Sequence, residues 1–329
     1  MPSAVLCGLG AWLPPDVVTN ADVAARTGTT DEWITARTGI RQRHVVRAGT
    51  GTADLAVEAG SRALKSAGLD AVDYVVLATT TPDRLCPATA PEVAHRLGLA
   101  GVPAFDVSAV CSGFLYATQV ARALISGGQA ETVLVVAAES FTTLVDPDDR
   151  ATAPIFGDGA GAAVYRAGDP DEPGAVAAVA LHSDGGLADL IAVDGGGALA
   201  RSAGDTAPAH IRMFGRSTFA HAIKNMEAVT REVLAIAGWD LAEVKHVVGH
   251  QANARILTAV TQRLGLPDDA AVLHLDQVGN TAGASIPLAL HHGSATGRIR
   301  AGDRLVLPAF GAGATWGAAA LVWPDLVPG

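Results

Sequence analysis

Phe156-Gly157-Asp158-Gly159-Ala160, leading into Ala162-Ala163-Val164, is written a second time near the C-terminus as Phe310-Gly311-Ala312-Gly313-Ala314, leading into Ala318-Ala319-Ala320. Two further pairs precede it in the same order. Ala67-Gly68-Leu69-Asp70 stands before the apolar run Val75-Val76-Leu77-Ala78, as Ala237-Gly238-Trp239-Asp240 stands before Val247-Val248-Gly249-His250. Arg96-Leu97-Gly98-Leu99 is matched by Arg263-Leu264-Gly265-Leu266. Single four-residue matches arise by chance, but three in one order mark an internal duplication. The spacing between copies shortens toward the C-terminus, as it does when the two halves carry different insertions.

Each half reads as helix, strand, helix, strand, helix, strand, a glycine-rich turn and a last strand. Val133-Leu134-Val135-Val136-Ala137-Ala138 is a continuous apolar run of strand length, and helix-like segments rich in small residues lie between such runs. That is the pattern of a mostly parallel sheet covered on both faces. The expected fold is α/β, with two duplicated mixed-sheet halves, residues 1–170 and 171–329, related by a pseudo-twofold axis. The Gly/Pro/Asp-rich stretch Gly168-Asp169-Pro170-Asp171-Glu172-Pro173-Gly174 marks the boundary. The string Gly157-Asp158-Gly159-Ala160-Gly161 resembles a dinucleotide fingerprint, yet it follows no clear first strand and opens no convincing helix. Its recurrence as a strand-to-strand turn argues against a nucleotide cofactor there.

Composition bounds the rest. Of 329 residues, 49% are hydrophobic, 17% charged and 5% aromatic, with 37 glycines, so elements meet through small side chains and two comparable cores are expected. The net charge of −10 argues against nucleic-acid binding. No apolar run reaches the roughly 18 residues of a membrane span, and Met1-Pro2-Ser3 shows no basic leader, so a cytoplasmic protein is expected. Against this acidic background Arg37, Arg41, Arg43, His44 and Arg47 cluster, which reads either as a solvated face or as an anion site. The three cysteines, Cys7, Cys86 and Cys111, have neither disulfide nor metal-ligand spacing.

Cys111 stands apart from the other two. A short strand runs into it, and Phe114, Ala117, Val120, Ala121 and Leu124 follow at helical spacing, ending at Gly127-Gly128. It therefore sits on a strand-to-helix turn, where free amides and the helix dipole favour thiolate. His250 ends the matching apolar run of the second half, and Asn280 lies close to the half-two counterpart of Cys111. A histidine or an asparagine alone is more often structural, but a pseudo-twofold axis brings these loops to one centre.

The motifs Val110-Cys111-Ser112-Gly113-Phe114, His250-Gln251-Ala252-Asn253, Gly279-Asn280-Thr281 and Phe310-Gly311-Ala312-Gly313 resemble those of ketoacyl-ACP synthase III, of the thiolase superfamily. So does Asp31-Glu32-Trp33-Ile34 followed by Arg37-Thr38-Gly39-Ile40. The resemblance spans nearly the whole chain and implies a thiolase-like fold. It further implies that Cys111 takes an acyl group from acyl-CoA, and that His250 and Asn280 stabilise the enolate of a decarboxylating malonyl thioester, the malonyl group arriving on an acyl carrier protein. The backbone amides of Cys111 and Ala312 would hold the other oxyanion. Trp33 and Arg150 would sandwich adenine, Arg37 would serve the phosphates, and Phe219 and Asn253 would line the pantetheine tunnel. Arg255 and Arg263 would dock the carrier, and Cys86 would bound the acyl pocket across a homodimer interface. No metal or cofactor is implied, acyl-CoA being a substrate. The chain departs from the family at Ala312 (often glycine), Ser112 (often alanine), Ala220 and Gln262 (lysine in some relatives) and Cys86 (often bulkier). A related acyltransferase that does not decarboxylate, and a non-catalytic partner subunit, are the competing readings. Retention of Asn280 and of Cys111, respectively, argues against them.

Overall fold

The computed structural model describes residues 1–329. The first sheet is built from β1 (Ser3–Trp12), β2 (Tyr74–Ala78), β3 (Ala104–Val107), β4 (Thr132–Glu139) and β5 (Gly159–Gly168). Their spatial order is β1-β5-β4-β2-β3, with β4, β2 and β3 parallel and β5 antiparallel to both β1 and β4. The second sheet uses β6 (Val176–Ser183), β7 (His246–Val247), β8 (Arg304–Val306), β9 (Ala309–Gly311) and β10 (Thr315–Val322). Here β7 pairs parallel with β8, while β10 runs antiparallel to β6, β8 and β9. The two sheets thus repeat one pattern of strand directions. The strand that would match β3 is reduced to a single parallel bridge between Val247 and Ala271.

Helices complete five layers. On the outer face of the first sheet lies α1 (Thr52–Ala67), whose Leu55, Ala56, Ala59 and Ala63 meet Leu134, Val136, Ala160 and Ala162. On the outer face of the second lie α3 (Gly215–Ala237) and α4 (Ala254–Leu264), with Met226, Val229, Val233, Leu257 and Val260 against Val306, Ala318 and Ala320. Between the sheets run α2 (Gly113–Ser126) and α5 (Ser285–Ala295). Phe114, Leu115, Ile125, Ile286, Leu288 and Leu290 belong to one cluster of 31 buried residues that includes side chains of both sheets. The expectation of two comparable cores is therefore corrected. The largest core is the shared middle layer, where both inner helices pack between the two sheets. Phe114 is 1% exposed there, and truncating it to alanine would cost about 3–5 kcal/mol.

Small residues set the layer spacing. A Cβ on Gly10 would lie 2.3 Å from the Ala59 carbonyl oxygen and 2.4 Å from the Ala63 nitrogen, so α1 rests directly on the β1 backbone. The Gly157–Gly161 string enters β5 and opens no helix, and its counterpart Gly311–Ala314 forms the turn from β9 to β10.

Two insertions separate the halves. Residues 13–51 carry the short helix Asp31–Thr38 and a hairpin of Asp16–Thr19 with Gln42–Val45. Residues 184–214 carry a hairpin of Ile191–Val193 with Ile211–Met213. The first brings Trp33 and Arg37 beside α4, and the second closes over the centre of the molecule.

Candidate active site

Cys111 occupies a 3-10 turn, Val110–Ser112, that leads directly into α2. Val110 has φ 47°, a costly conformation for a β-branched residue, which the surrounding bonds hold in place. Ser112 donates its hydroxyl to the Thr315 carbonyl at 3.0 Å, and the Thr315 hydroxyl faces the Ala109 and Ala312 carbonyl oxygens, each at 3.1 Å. The serine that departs from the family pattern thus ties the nucleophile turn to the second sheet. Gly311 packs flat on Cys111: a Cβ there would lie 2.8 Å from the Cys111 Cβ and 2.9 Å from its nitrogen. Ala312 follows in the same turn, beside the cysteine.

His250 lies three residues past the end of β7, the strand being shorter than the apolar run suggested. Its backbone N–H donates to the Pro308 carbonyl at 2.9 Å, and its Nδ1 lies 2.7 Å from the Ser285 hydroxyl at the start of α5. That hydroxyl accepts the Gln251 N–H at 3.2 Å and has no other acceptor for its proton. Ser285 therefore donates to Nδ1, which leaves the proton of the neutral imidazole on Nε2. Burial pushes the His250 pKa down to about 3, so the ring is neutral throughout the physiological range.

Asn280 is stitched to the first half. Its N–H donates to the Ile155 carbonyl at 2.9 Å, and its own carbonyl accepts from Gly157 at 3.0 Å. Its side-chain Oδ1 accepts the Ala282 N–H at 2.9 Å, so the amide NH2 is the end left for the cavity that Asn280 lines.

Cys111, His250 and Asn280 share one small cavity of about 50 Å³, walled by Val110, Phe141, Phe156, Ile211 and Phe310 among others. Phe141 and Phe156 stack with ring centroids 4.5 Å apart, closing its apolar end. Asn280, Thr218, Ala252 and Ile256 also line a second cavity of about 720 Å³ that opens to the surface. Trp33, Arg37, Arg150, Phe219, Asn253 and Arg255 lie around it. Both guanidiniums rest on the Trp33 indole, Arg37 at 4.5 Å and Arg150 at 4.7 Å from its centroid. Nothing flat fits between Trp33 and Arg150 until that arginine swings away. Asn253 is occupied within the chain: it donates to the Arg37 carbonyl at 2.9 Å and caps α4 through the Arg255 N–H.

One expectation needs correction. The helix start does not favour a thiolate: burial, and then the charge of Glu139, push the Cys111 thiol well above its ordinary range. Cys86 is exposed on the loop before Thr89 and lines neither cavity of its own chain, the pocket it is expected to bound being that of a second copy; Phe141 and Phe156 line the small cavity here. Arg255 and Arg263, the two expected carrier contacts, have different neighbours along α4. Arg255 stacks on Phe219 at the cavity rim, whereas Arg263 sits two turns along α4 and pairs with Glu227 at 3.5 Å. The equivalence of Asn280 with Cys111 also shifts. Ala282, at φ 45°, repeats the strain of Val110, which sets Gly283 opposite Cys111. Of the cluster at 37–47, Arg37 reaches the large cavity, while Arg43 is 1% exposed and spends its donors on Val18, Asn20 and Pro154.

Sequence reasoning missed Ser285, Glu139, Phe141 and Phe156. Glu139 had a visible signal: it is the lone acid closing the apolar run Val133–Ala138. Ser285 had none, because its role depends on the axis that brings α5 to His250.

Two five-stranded sheets around a shared helical layer, with a cysteine at the inner helix of one half and a histidine and an asparagine from the other, define a condensing enzyme of the thiolase fold. Residues 105–185 match the profile of 3-oxoacyl-[acyl-carrier-protein (ACP)] synthase III, and residues 234–323 match that of its C-terminal part. The chain is 53% identical to beta-ketoacyl-[acyl-carrier-protein] synthase III 3 of Streptomyces coelicolor, over 99% of each chain. The crystal structure of 3-oxoacyl-(acyl carrier protein) synthase III from Pseudomonas aeruginosa superposes with a TM-score of 0.94 at 48% identity, covering 99% of this chain and 100% of that one. The priming beta-ketosynthase of the R1128 polyketide pathway superposes with a TM-score of 0.92 at 33% identity, covering 98% and 97%. The chain belongs to the 3-oxoacyl-[acyl-carrier-protein] synthase III family, and is an acyltransferase.

Proposed function

We propose that the protein loads an acyl group from acyl-CoA onto Cys111 and condenses it with a malonyl thioester carried by an acyl carrier protein, giving a 3-oxoacyl thioester. The observation that carries this reading is the pairing of donors opposite the thiol. His250 and Asn280 each have their acceptor atom engaged, by Ser285 and Ala282, and each turns an N–H toward the cavity of Cys111.

In the first half-reaction the Cys111 sulfur attacks the thioester carbonyl. The oxyanion faces the amides of Cys111 and Ala312, and the departing CoA sulfur carries off the proton. In the second, the malonyl carboxylate leaves as carbon dioxide and the electron pair moves onto the thioester oxygen. His250 Nε2–H and the Asn280 amide stabilise that enolate, whose carbon attacks the acyl carbonyl and expels the Cys111 sulfur. A neutral donor at His250 suits this step, since it needs no proton from solvent and adds no charge before the reaction begins.

Trp33, Arg37 and Arg150 hold the nucleotide end of CoA, and Phe219 with Asn253 borders the pantetheine path. Arg255 at the rim, with Arg263 beyond it, meets the acidic carrier. A second copy covers the free edge at β3, where Phe105 is 37% exposed, and this homodimer brings Cys86 toward the partner's pocket. No helix is long and apolar enough to cross a membrane, and action in the cytoplasm fits that.

The test is release of labelled carbon dioxide from malonyl-carrier protein after loading with an acyl-CoA. Condensation predicts release stoichiometric with 3-oxoacyl product. Acyl loading followed by transfer without carbon dioxide would overturn the assignment in favour of a non-decarboxylating acyltransferase.

A further inference from the structure

Glu139, the last residue of β4, is fully buried and outside the steps just described. Its carboxylate gathers three hydrogen bonds from the loop that follows β2: the Thr80 N–H at 3.0 Å, the Thr80 hydroxyl at 3.1 Å and the Thr81 hydroxyl at 3.1 Å. The backbone of Gly283, from the other half, faces the same carboxylate. Gly283 is the counterpart of Cys111, each following a residue with φ near 46° in a 3-10 turn that opens an inner helix (Val110 at 47°, Ala282 at 45°). A side chain at Gly283 would crowd its neighbours, because its Cβ would stand 3.0 Å from the Val110 carbonyl oxygen and 3.1 Å from Glu139 Oε1. The carboxylate therefore fills the place opposite the nucleophile, wedged between the turn that bears Cys111 and the turn that follows Asn280.

We propose that Glu139 is a positioning residue of the condensing reaction, a buried carboxylate that locks the Asn280 turn to the Cys111 turn and sets its negative charge against the nucleophile until the sulfur is acylated. The proposal rests on the reading of Cys111 and Asn280 given above. The lock runs through contacts already described: the Glu139 carboxylate against the Gly283 backbone, and the Ala282 N–H bonded to Asn280 Oδ1. The opposition is electrostatic. No cationic side chain faces the carboxylate: Thr80, Thr81 and Gly283 surround it, and Cys111 is the titratable group it acts on. Burial raises Glu139 to about 7, so it is partly ionised at neutral pH, and its charge adds to the burial that keeps the thiol protonated. An acylated sulfur carries no charge, and the opposition ends there.

The experiment measures alkylation of Cys111 by iodoacetamide against pH, mapped by peptide mass, in wild type, Glu139→Gln and Glu139→Asp. Carbon dioxide release from malonyl-carrier protein is measured alongside. Glutamine removes the charge and one of the two acceptor oxygens. Its alkylation profile should move to lower pH by about one unit, a roughly tenfold faster reaction at pH 7, while carbon dioxide release falls about tenfold. Aspartate keeps the charge and should keep the wild-type alkylation profile. Equal losses of carbon dioxide release in both variants with unmoved alkylation profiles would make Glu139 merely structural and overturn the proposal. Should Glu139→Gln fail to fold, Thr81→Val substitutes. It removes one donor from the carboxylate and leaves it more protonated, so the profile must shift in the same direction, and an unmoved profile overturns the proposal. Alkylation needs no substrate, so its outcome is separate from whether any acyl-CoA loads.

Discussion

The turns Val110–Ser112 and Ala282–Ala284 share one backbone and differ in almost everything laid on it. Both are 3-10 turns with a strained residue near φ 46°, both feed an inner helix, and both are packed by the end of a strand (Val110 at 47°, Ala282 at 45°). In one, the residue after the strain is Cys111, covered by the bare backbone of Gly311. In the other it is Gly283, covered by the carboxylate of Glu139. The duplicated fold supplied two equivalent sites, and the sequence made a nucleophile of one and a donor platform of the other. What the second turn lost in its side chain at Gly283 it regained three residues earlier, where Asn280 turns its amide toward the thiol.

The sharpest way to break the comparison is to remove the donors of the second turn. His250→Ala and Asn280→Ala should still load acyl-CoA at Cys111 but lose about 10²–10³ in carbon dioxide release, as loss of one oxyanion donor does. Retained decarboxylation in either would separate these residues from the enolate. A second contrast uses the covers. Gly311→Ala forces a Cβ within 2.9 Å of the Cys111 backbone and should cut acyl loading about 10²-fold, through misplacement of the sulfur. Gly283→Ala meets its neighbours at 3.0–3.1 Å and should cost loading much less, which parallel loading assays on both variants decide.

The two turns should also answer differently to pH. Loading should rise with pH because the buried thiol must lose its proton, whereas carbon dioxide release from preloaded enzyme should show no titration of His250 from pH 8 to 5, that ring being neutral down to about 3, and should fall only as Glu139 takes up its proton near 7. Stability carries the same signature. The folded-state pKa values of His250 (about 3) and His274 (about 4) lie below the ordinary 6.5, so the unfolded chain binds more protons and stability is lost as pH falls below 6.5. Glu139, raised to about 7, works in the opposite sense between 4.5 and 7. His246 and His291 are lowered by burial as well, so histidines outnumber the raised carboxyls Glu139 and Asp158, and the urea midpoint should be lower at pH 5 than at pH 6. The smallest effect is expected at the rim: Arg255→Glu should weaken the carrier-dependent step a few-fold at low salt, and less at high salt. Arg263→Glu should do less still, its charge being shared with Glu227.

Much of this was legible in the chain. The repeated Phe156–Ala160 and Phe310–Ala314 segments carried the duplication, and the helical spacing after Cys111 gave α2. The shared middle layer was not legible, because whether Phe114 and Ile286 bury against their own half or the other is a property of the axis between them. Cys111, His250 and Asn280 were found because they sit beside glycine-rich turns that survive duplication. Ser285 and Glu139 were hidden for the opposite reason: each acts on a residue far along the chain, Ser285 on His250 and Glu139 on Gly283. Burial was hidden too, and burial is what reversed the expected ionisation of Cys111.

The central claim is that the two turns divide one reaction, the first holding the acyl group and the second activating its partner. Intact-mass analysis after exposure to acetyl-, butyryl-, branched and octanoyl-CoA, followed by peptide mapping, tests it most directly. The account predicts one acyl group per chain, on Cys111, in the wild type and in Asn280→Ala, and discharged by malonyl-carrier protein only in the wild type. An acyl group on another residue, or its discharge with carbon dioxide release at an unchanged rate in Asn280→Ala, would contradict it.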